Sequence, residues 1–524
     1  MNAGPEWDPD EGHPRRKLIL AVACLGLVLV VLSVSSLNIA IPTIIDDLQP
    51  TSSQLLWIID SYALVFAGML LLAGAIGDRY GRKGAFLSGL VVFGIGAILS
   101  SFATGPEMLI LTRGVMGLGA AFVMPATLSI ITSVFPPTER PKAIATWAGF
   151  AGAGGAIGPL LSGFVLQAWP GNWEAVFLIN VPFVLATMVL VAALIPTSRD
   201  SRETRLDWLG AAISVVALGA LLFGIIQGPE SGWASAVVVG SFALCVVAVV
   251  AFLAWELHVP EPMLDPRFLR IPAFTAGSGV VTAVFFGMFG MFFLLTQYLQ
   301  FVQGYSALKA GAAGLPAAAT MILVAPRSAD LAAHFGARRV VVGGAALGAV
   351  GFVAFANLQV DSDYWLVALA LVLVASAVAL CTAPASSAIV TSLPLDKAGV
   401  ASAVNDTTRE VGGALGIAVL GTIVTSVYVS EAESDIAAMP TPPPPFDEGF
   451  EQASEVALEG IGPALAVAER APTPEMAETM VATASNAFVS GMSTAFWFAA
   501  GVMVLTAIVS AFAVPRRIEV SSGH

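Results

Sequence analysis

Charge is scarce in this chain. Only 11% of its 524 residues are Asp, Glu, Lys or Arg, against 57% hydrophobic, and the mean hydropathy is +0.85. A soluble chain of this length would need far more charge to cover its surface, so the composition excludes an ordinary globular enzyme and points to a membrane-embedded protein. Cysteine is nearly absent: Cys24, Cys245 and Cys381 each sit within an apolar stretch, which leaves neither a disulfide framework nor thiol chemistry. The histidines, His13, His258, His334 and His524, are too scattered to form a ligand set for a metal. No Gly-x4-Gly-Lys-Ser/Thr phosphate loop occurs, so ATP is not expected to act on the chain directly. No polar stretch is long enough to be a soluble catalytic domain. No catalytic residues, cofactor, metal or nucleic-acid partner are expected.

What the chain has in quantity is long apolar runs. A membrane-spanning helix needs about 20 mostly apolar residues. Such stretches recur fourteen times, centred near residues 30, 65, 94, 120, 154, 186, 218, 246, 287, 318, 348, 377, 414 and 501. The first, Leu18 to Ile41, is too long for a signal-peptide core and is followed by no small-residue cleavage site, so it reads as a retained span. Basic residues set the orientation. With the N-terminus inside, 18 of the 23 Lys and Arg fall in cytoplasmic segments: Arg15, Arg16, Lys17; Arg79, Arg82, Lys83; Arg140, Lys142; Arg199, Arg202, Arg205; Arg267, Arg270; Arg338, Arg339; Lys397; Arg516, Arg517. Only Lys309 and Arg470 lie outside, while Arg113, Arg327 and Arg409 lie within or at the ends of spans. The positive-inside rule therefore places both termini in the cytoplasm of a bacterial plasma membrane and favours an even number of spans. The net charge of −13 is mostly local: the segment from Ser430 to Asn486 carries eleven acids and one Arg, and reads as a solvated external loop.

The chain repeats itself. Gly74-Ala-Ile-Gly-Asp78-Arg79-Tyr80-Gly81-Arg82-Lys83 closes span 2, and Ala329-Asp-Leu-Ala-Ala333-His334-Phe335-Gly336-Ala-Arg338-Arg339 closes span 10 with the same spacing, 255 residues on. The second copy lacks the Asp and the first Arg. The offset is explained by two homologous six-helix halves with two spans inserted between them. The expected organisation is a cytoplasmic tail (1–17), a first half (18–200), two inserted helices (201–257), a cytoplasmic linker (258–272), a second half (273–514) that includes the acidic loop 430–486, and a tail (515–524). Within that loop, Phe450, Ala453, Val456, Ala457 and Ile461 have the spacing of a short amphipathic helix resting on the outer mouth.

A charge in the bilayer core costs at least about 2.5 kcal/mol and is functional by default. Asp60 in span 2 and Arg113 in span 4 fall at similar depths, so pairing between them is geometrically possible, either as a static lock or as a coupling element. Asp406, Arg409 and Glu410 are spaced i, i+3 and i+4 on span 13 and share one face. Beside the arginine one carboxylate can stay ionised while the other exchanges a proton; an ordinary intrahelical bridge is the alternative. Gly152, Gly154, Gly155, Gly158 and Gly163 in span 5, with Gly412, Gly413 and Gly416 in span 13, suit close helix packing, and Pro159 adds a kink. Asp207 reads as the cap of span 7. Phe285, Phe286, Phe289, Phe292 and Phe293 read as lipid-facing, with a lipophilic pocket as the alternative.

Six motifs in order carry a family resemblance over essentially the whole chain. Gly74 to Lys83 resembles the signature loop of the major facilitator superfamily. Leu111-Thr-Arg113-Gly-Val-Met-Gly117-Leu-Gly119 resembles its span-4 arginine motif, with Met116 where Gln is usual. Gly154-x3-Gly158-Pro159-x2-Ser162-Gly163 resembles the antiporter motif, with Ser162 replacing a Gly. Asn172 to Pro182, Pro262-Met-Leu-Asp265 and Lys397 to Asn405 complete a pattern similar to the fourteen-span drug/proton antiporters of the QacA, SmvA and EmrB type. The resemblance implies an all-α polytopic fold and a proton-driven exporter of lipophilic small molecules, working as a monomer by alternating access among membrane lipids. It implies proton coupling through Asp60, Asp406 and Glu410 with Arg113 beside Asp60, and a conformational latch at Gly74, Asp78, Arg79, Gly81, Arg82 and Lys83. The family's span-1 Asp falls on Ser33, and an acid that some relatives carry in span 10 falls on Met321. A proton symporter, an exporter of one endogenous metabolite, and a membrane sensor or scaffold are the alternatives. The glycine–proline motif of span 5 argues against the symporter, and the absence of a soluble output domain against the sensor.

Overall fold

A computed structural model describes residues 11–514 except 51, 170, 198–206, 261, 263, 394–397, 439–453, 455, 459 and 472. Arg199, Arg202, Arg205, Lys397, Arg516, Arg517, Phe450 and Ala453, with residues 1–10 of the N-terminal tail and all of 515–524, therefore lie outside the described residues.

The described residues are helical, with no strand among them. The first half comprises α1 (Arg16–Leu48), α2 (Ser52–Tyr80), α3 (Arg82–Ser100), α4 (Pro106–Val134), α5 (Arg140–Ala168), a short α6 (Glu174–Leu178) and α7 (Asn180–Leu194). Then come α8 (Trp208–Ser231) and α9 (Ala236–Glu256). The second half comprises α10 (Pro272–Gln297), α11 (Ala307–Ala312), α12 (Leu315–Phe335), α13 (Ala337–Ala356), α14 (Tyr364–Thr391), α15 (Ala398–Ala438), α16 (Ile461–Ala468) and α17 (Pro474–Ala513). Among the described residues, twelve helices are long and apolar enough to cross a bilayer, and thirteen if α2, whose arms Trp57–Leu70 and Leu72–Tyr80 meet at 51°, is one span. The remaining expected span falls on α5, a 29-residue helix whose apolar part is Ile157–Ala168.

Local chemistry sets the helix ends. Asp207 caps α8 as expected, its Oδ1 accepting from the Gly210 amide at 2.8 Å, and the Trp255 indole of α9 donates to the same carboxylate at 2.9 Å. Prolines open α4, α5, α10, α12 and α17, where a missing amide hydrogen costs nothing. The internal repeat is structural as well as sequential. α2 and α3 are separated by Gly81 alone (φ +119°), and α12 and α13 by Gly336 alone (φ +90°). Both turns use a backbone conformation that only glycine adopts without strain. The packing partners also recur: α3 against α4, α2 against α4 and α1 against α5 in the first half match α13 against α14, α12 against α14 and α10 against α15 in the second. Pro125 interrupts α4 where Pro384 interrupts its counterpart α14.

Contacts at the helix ends join residues that alternating helices would bring to one side. At the end that holds the N-terminus, Arg16 pairs with Glu139 at 2.8 Å and Arg338 donates to the Val514 carbonyl at 2.6 Å. The bidentate bond from Arg16 holds the Glu139 carboxyl below its usual range. At the opposite end Trp173 donates to Asp47 at 2.8 Å and the Tyr298 hydroxyl to the Gln359 carbonyl at 2.6 Å. The halves meet along two seams: α5 against α11, α12 and α14, and α2 and α4 against α15. The inserted α8 lies on the second seam, touching both α2 and α15, and α9 packs on α8.

Candidate functional site

On the α2–α15 seam, at the end away from the N-terminus, lies a cavity of about 180 Å³. Its wall is mainly apolar and aromatic, with Phe293 of α10, Tyr428 of α15, Phe488 of α17 and Ile225 of the inserted α8, and Ile461 at the start of α16 closes it. Asp60 is the one acid among its lining residues. Of the external-loop helix expected from sequence, Val456 and Ala457 are helical, and a separate helix, α16, begins at Ile461; Ala457 and Ile461 are buried and Val456 is exposed.

Asp60 lies eight residues into α2, about 12 Å along the helix. Arg113 does not pair with it. The guanidinium, fully buried, donates from Nε to the Ile58 carbonyl at 3.2 Å and from Nη2 to the Ile59 carbonyl at 3.4 Å. Its Nη1 has no partner, and its planar face lies 4.7 Å from the Tyr62 ring centroid, a cation–π contact. Tyr62, also buried, donates to the Val30 carbonyl of α1 at 3.3 Å. Arg113 is therefore fixed to the backbone immediately before Asp60, close enough to act on the carboxylate through space while leaving it open to the cavity.

The span-13 residues form a second cluster, nearer the N-terminal end. Asp406 and Arg409 are almost wholly buried on α15, 3.9 Å apart, a distance that gives Coulomb attraction without a hydrogen bond. Arg409 Nη2 donates to Ser386 Oγ of α14 at 3.3 Å, and its guanidinium carbon lies over the rings of Trp147 (4.7 Å) and Phe285 (5.2 Å). Asn405 donates to Asp406 Oδ1 at 3.3 Å, whereas Asp406 Oδ2, Arg409 Nε and Arg409 Nη1 make no hydrogen bond. A buried ion pair with unmet valences is poor structural cement, since desolvation is not offset by full hydrogen bonding. Glu410 is half-buried one turn on along the same helix.

The signature loop closes on itself. Arg82 Nε binds Asp78 Oδ1 at 2.9 Å and Nη1 reaches the Ser129 carbonyl at 3.4 Å, while Lys83 donates to the Ala192 carbonyl at 2.7 Å. Arg79 lies over Tyr80, and Gly74 is buried in α2. The glycines of α5 serve both neighbours. A Cβ on Gly154 would stand 3.3 Å from the Val28 Cα, and one on Gly158 2.8 Å from the Leu32 carbonyl, both on α1. Ser36 of α1 donates to the Gly158 carbonyl at 3.2 Å. On the other side, a Cβ on Gly163 would stand 2.6 Å from the Leu308 Cα, and one on Gly311 2.7 Å from the Leu160 Cα next to Pro159. The α5 motif is therefore a close backbone contact between the halves. Gly163→Leu is expected to force α5 and α11 apart at a cost of about 1–3 kcal/mol, lowering both the thermal midpoint of the purified protein and its transport. An unchanged midpoint would contradict the contact.

The expectation that the span-9 phenylalanines face lipid is overturned. Phe285 and Phe286 are buried, Phe289, Phe292 and Phe293 are half-buried, Phe285 flanks Arg409, and Phe293 lines the cavity. The apolar run of α10 is uniform enough that periodicity could not distinguish protein-facing from lipid-facing sides. Sequence reading also missed Tyr62, Trp147 and Ser386. The available signal was that an intramembrane guanidinium needs a π face or an oxygen; which helix supplies it depends on the packing of the halves.

A major facilitator superfamily model matches residues 23–417, three quarters of the chain. The chain belongs to the major facilitator superfamily. This transporter is 32% identical to the multidrug efflux pump LfrA of Mycolicibacterium smegmatis over 96% of this chain and 97% of that protein. It is 31% identical to the methyl viologen resistance protein SmvA of Salmonella typhimurium, over 94% and 97% respectively. Among solved structures, the human organic anion transporter MFSD10 superposes with a TM-score of 0.62 at 14% identity, covering 95% of this chain and all of that one. That likeness establishes the shared fold.

Proposed function

We propose that the chain is a proton-coupled antiporter that exports lipophilic small molecules, drug-like compounds, antiseptics, dyes or antibiotics, across the bacterial plasma membrane by alternating access. The observation that carries this reading is Asp60: a single carboxylate lining an otherwise largely apolar cavity, on the seam between the halves. An apolar, aromatic wall suits a lipophilic guest, and one acid serves as the site that a proton and the guest occupy in turn. The similarity to LfrA, a multidrug efflux pump, and to SmvA, a methyl viologen resistance protein, supports export as the direction of transport. Asp60 is the first proton site, Asp406 the second and Glu410 the third, with Arg113 biasing Asp60. The functional unit is a monomer of fourteen spans with both termini cytoplasmic; α2 and α5 complete the count, and the basic residues set the orientation.

Energised inside-out vesicles test the reading. An exporter accumulates a lipophilic dye in them, a nutrient symporter takes up its substrate in whole cells instead, and a sensor moves nothing. In this scheme the signature loop is a latch that stabilises one state. Asp78→Asn removes the carboxylate held by Arg82 and is expected to slow turnover about tenfold, the effect of losing one charge-assisted hydrogen bond, with substrate affinity unchanged. Weakened binding with normal turnover at saturation would instead place Asp78 in the binding site.

A further inference from the structure

We propose that Trp147 is a positioning residue for proton coupling: its indole face holds Arg409 beside Asp406, and it does so only while the two halves are closed on one another at the N-terminal end. Trp147 belongs to α5 of the first half; Arg409, Asp406, Ser386 and Phe285 all belong to the second. The indole is fully buried and oriented from its own half, Nε1 donating to Thr127 Oγ1 of α4 at 3.1 Å. Its ring stands 4.7 Å from the Arg409 guanidinium carbon, inside the range of a cation–π contact, and the Phe285 ring is a second such contact at 5.2 Å.

Asp406 does not hold this arginine by itself. The Nη1–Oδ1 separation is 3.9 Å, and neither Arg409 Nε nor Nη1 makes a hydrogen bond; among the described residues Ser386 accepts the one that Arg409 donates. The charged groups facing Arg409 are Asp406 and Glu410 of its own helix, with Ser386 from α14, Phe285 from α10 and Trp147 from α5. Only Trp147 comes from the opposite half. Separation of α5 from α14 and α15 removes it and frees Arg409 to leave Asp406, so the carboxylate keeps its positive neighbour in one conformational state and loses it in the other. This links the charge state of Asp406 to the opening of the seam. The coupling part of the proposal rests on the antiport reading; the gating part does not.

The test uses the full chain in inside-out vesicles and proteoliposomes. Trp147→Leu is expected to lower dye uptake driven by a pH gradient by about tenfold or more, while dye–dye exchange, which moves no net protons, keeps its half-saturation. Trp147→Phe, which retains an aromatic face, restores gradient-driven uptake. Wild-type gradient-driven uptake in the Leu variant, or loss of both driven uptake and exchange with no rescue by Phe, overturns the assignment. A second measurement does not depend on protons. Ala325 of α12 is buried where a Cβ on Gly149 of α5 would stand 2.8 Å from its own Cβ. With Cys24, Cys245 and Cys381 replaced by alanine and Ala325→Cys introduced, Trp147→Leu should raise impermeant-maleimide labelling in inside-out vesicles about tenfold, and Trp147→Phe should not. Equal labelling in all three backgrounds overturns the contact. Absent gradient-driven uptake in the wild type, with the labelling difference present, sinks the antiport reading and leaves the gate standing.

Discussion

Asp60→Asn is expected to lower gradient-driven efflux by about a hundredfold or more, while membrane abundance stays close to that of the wild type. The amide is isosteric with the acid and still fits the cavity wall, so folding is not the variable. It cannot release and rebind a proton at any physiological pH, and it presents no charge to a cation. Asp60 takes part in no ion pair among the described residues, so its removal strands no partner: Arg113 keeps both backbone carbonyls and the Tyr62 ring. The same replacement at Asp406 differs, because Arg409 then loses its nearest counter-charge. Efflux and protein abundance measured on the same membranes decide the matter, and wild-type efflux in the Asn variant removes Asp60 from the mechanism.

Charge selectivity gives the second large effect. The interior clusters hold three carboxylates, Asp60, Asp406 and Glu410, and two guanidiniums, Arg113 and Arg409, a balance of one negative charge with every group ionised. Once a carboxylate carries the transported proton that balance falls to zero. Ser33 and Met321 stand where resemblance to other antiporters would place acids, and both are buried, the Ser33 hydroxyl without a partner. A second uncompensated charge in the membrane interior costs about 2.5–3.5 kcal/mol, equivalent to a factor of about a hundred. Neutral and monovalent lipophilic compounds are therefore expected to leave about a hundredfold more efficiently than rigid dications. SmvA, a resistance protein for the dication methyl viologen, is the natural comparison. Ser33→Asp should narrow the gap. Equal efflux of a monovalent dye and a rigid divalent one by the unmodified chain would show that the missing acids do not set the preference.

Much of the architecture was legible in the sequence because membrane insertion imposes one-dimensional rules. Apolar run length, basic-residue placement and the repeat at Gly81 and Gly336 each follow from local chemistry, and the structure returns both glycines in the left-handed region. The i, i+3, i+4 spacing of Asp406, Arg409 and Glu410 guaranteed a shared face. Three-dimensional partners were a different matter. Arg113 and Asp60 lie at matching depths, yet depth does not give the rotation of α4 about its axis, and the arginine is turned onto the α2 backbone and Tyr62. Trp147 and Arg409 lie far apart in the chain on opposite halves, so only the meeting of the halves, with α5 against α14 and the Trp147 ring at Arg409, joins them. The lipid-facing reading of α10 failed for a related reason, since a helix apolar all round does not declare which side meets protein.

A proton gradient alone is expected to drive a lipophilic molecule through this chain by way of Asp60. This coupling is tested most directly with purified protein in sealed proteoliposomes free of ATP, with an imposed pH gradient, a fluorescent monovalent substrate outside and a pH-sensitive dye inside. The account predicts that the substrate accumulates on the acidic side as protons leave it, that collapsing the gradient abolishes both movements, and that Asp60→Asn shows neither. Substrate moving in the same direction as the protons, or accumulating equally without a gradient, would contradict it.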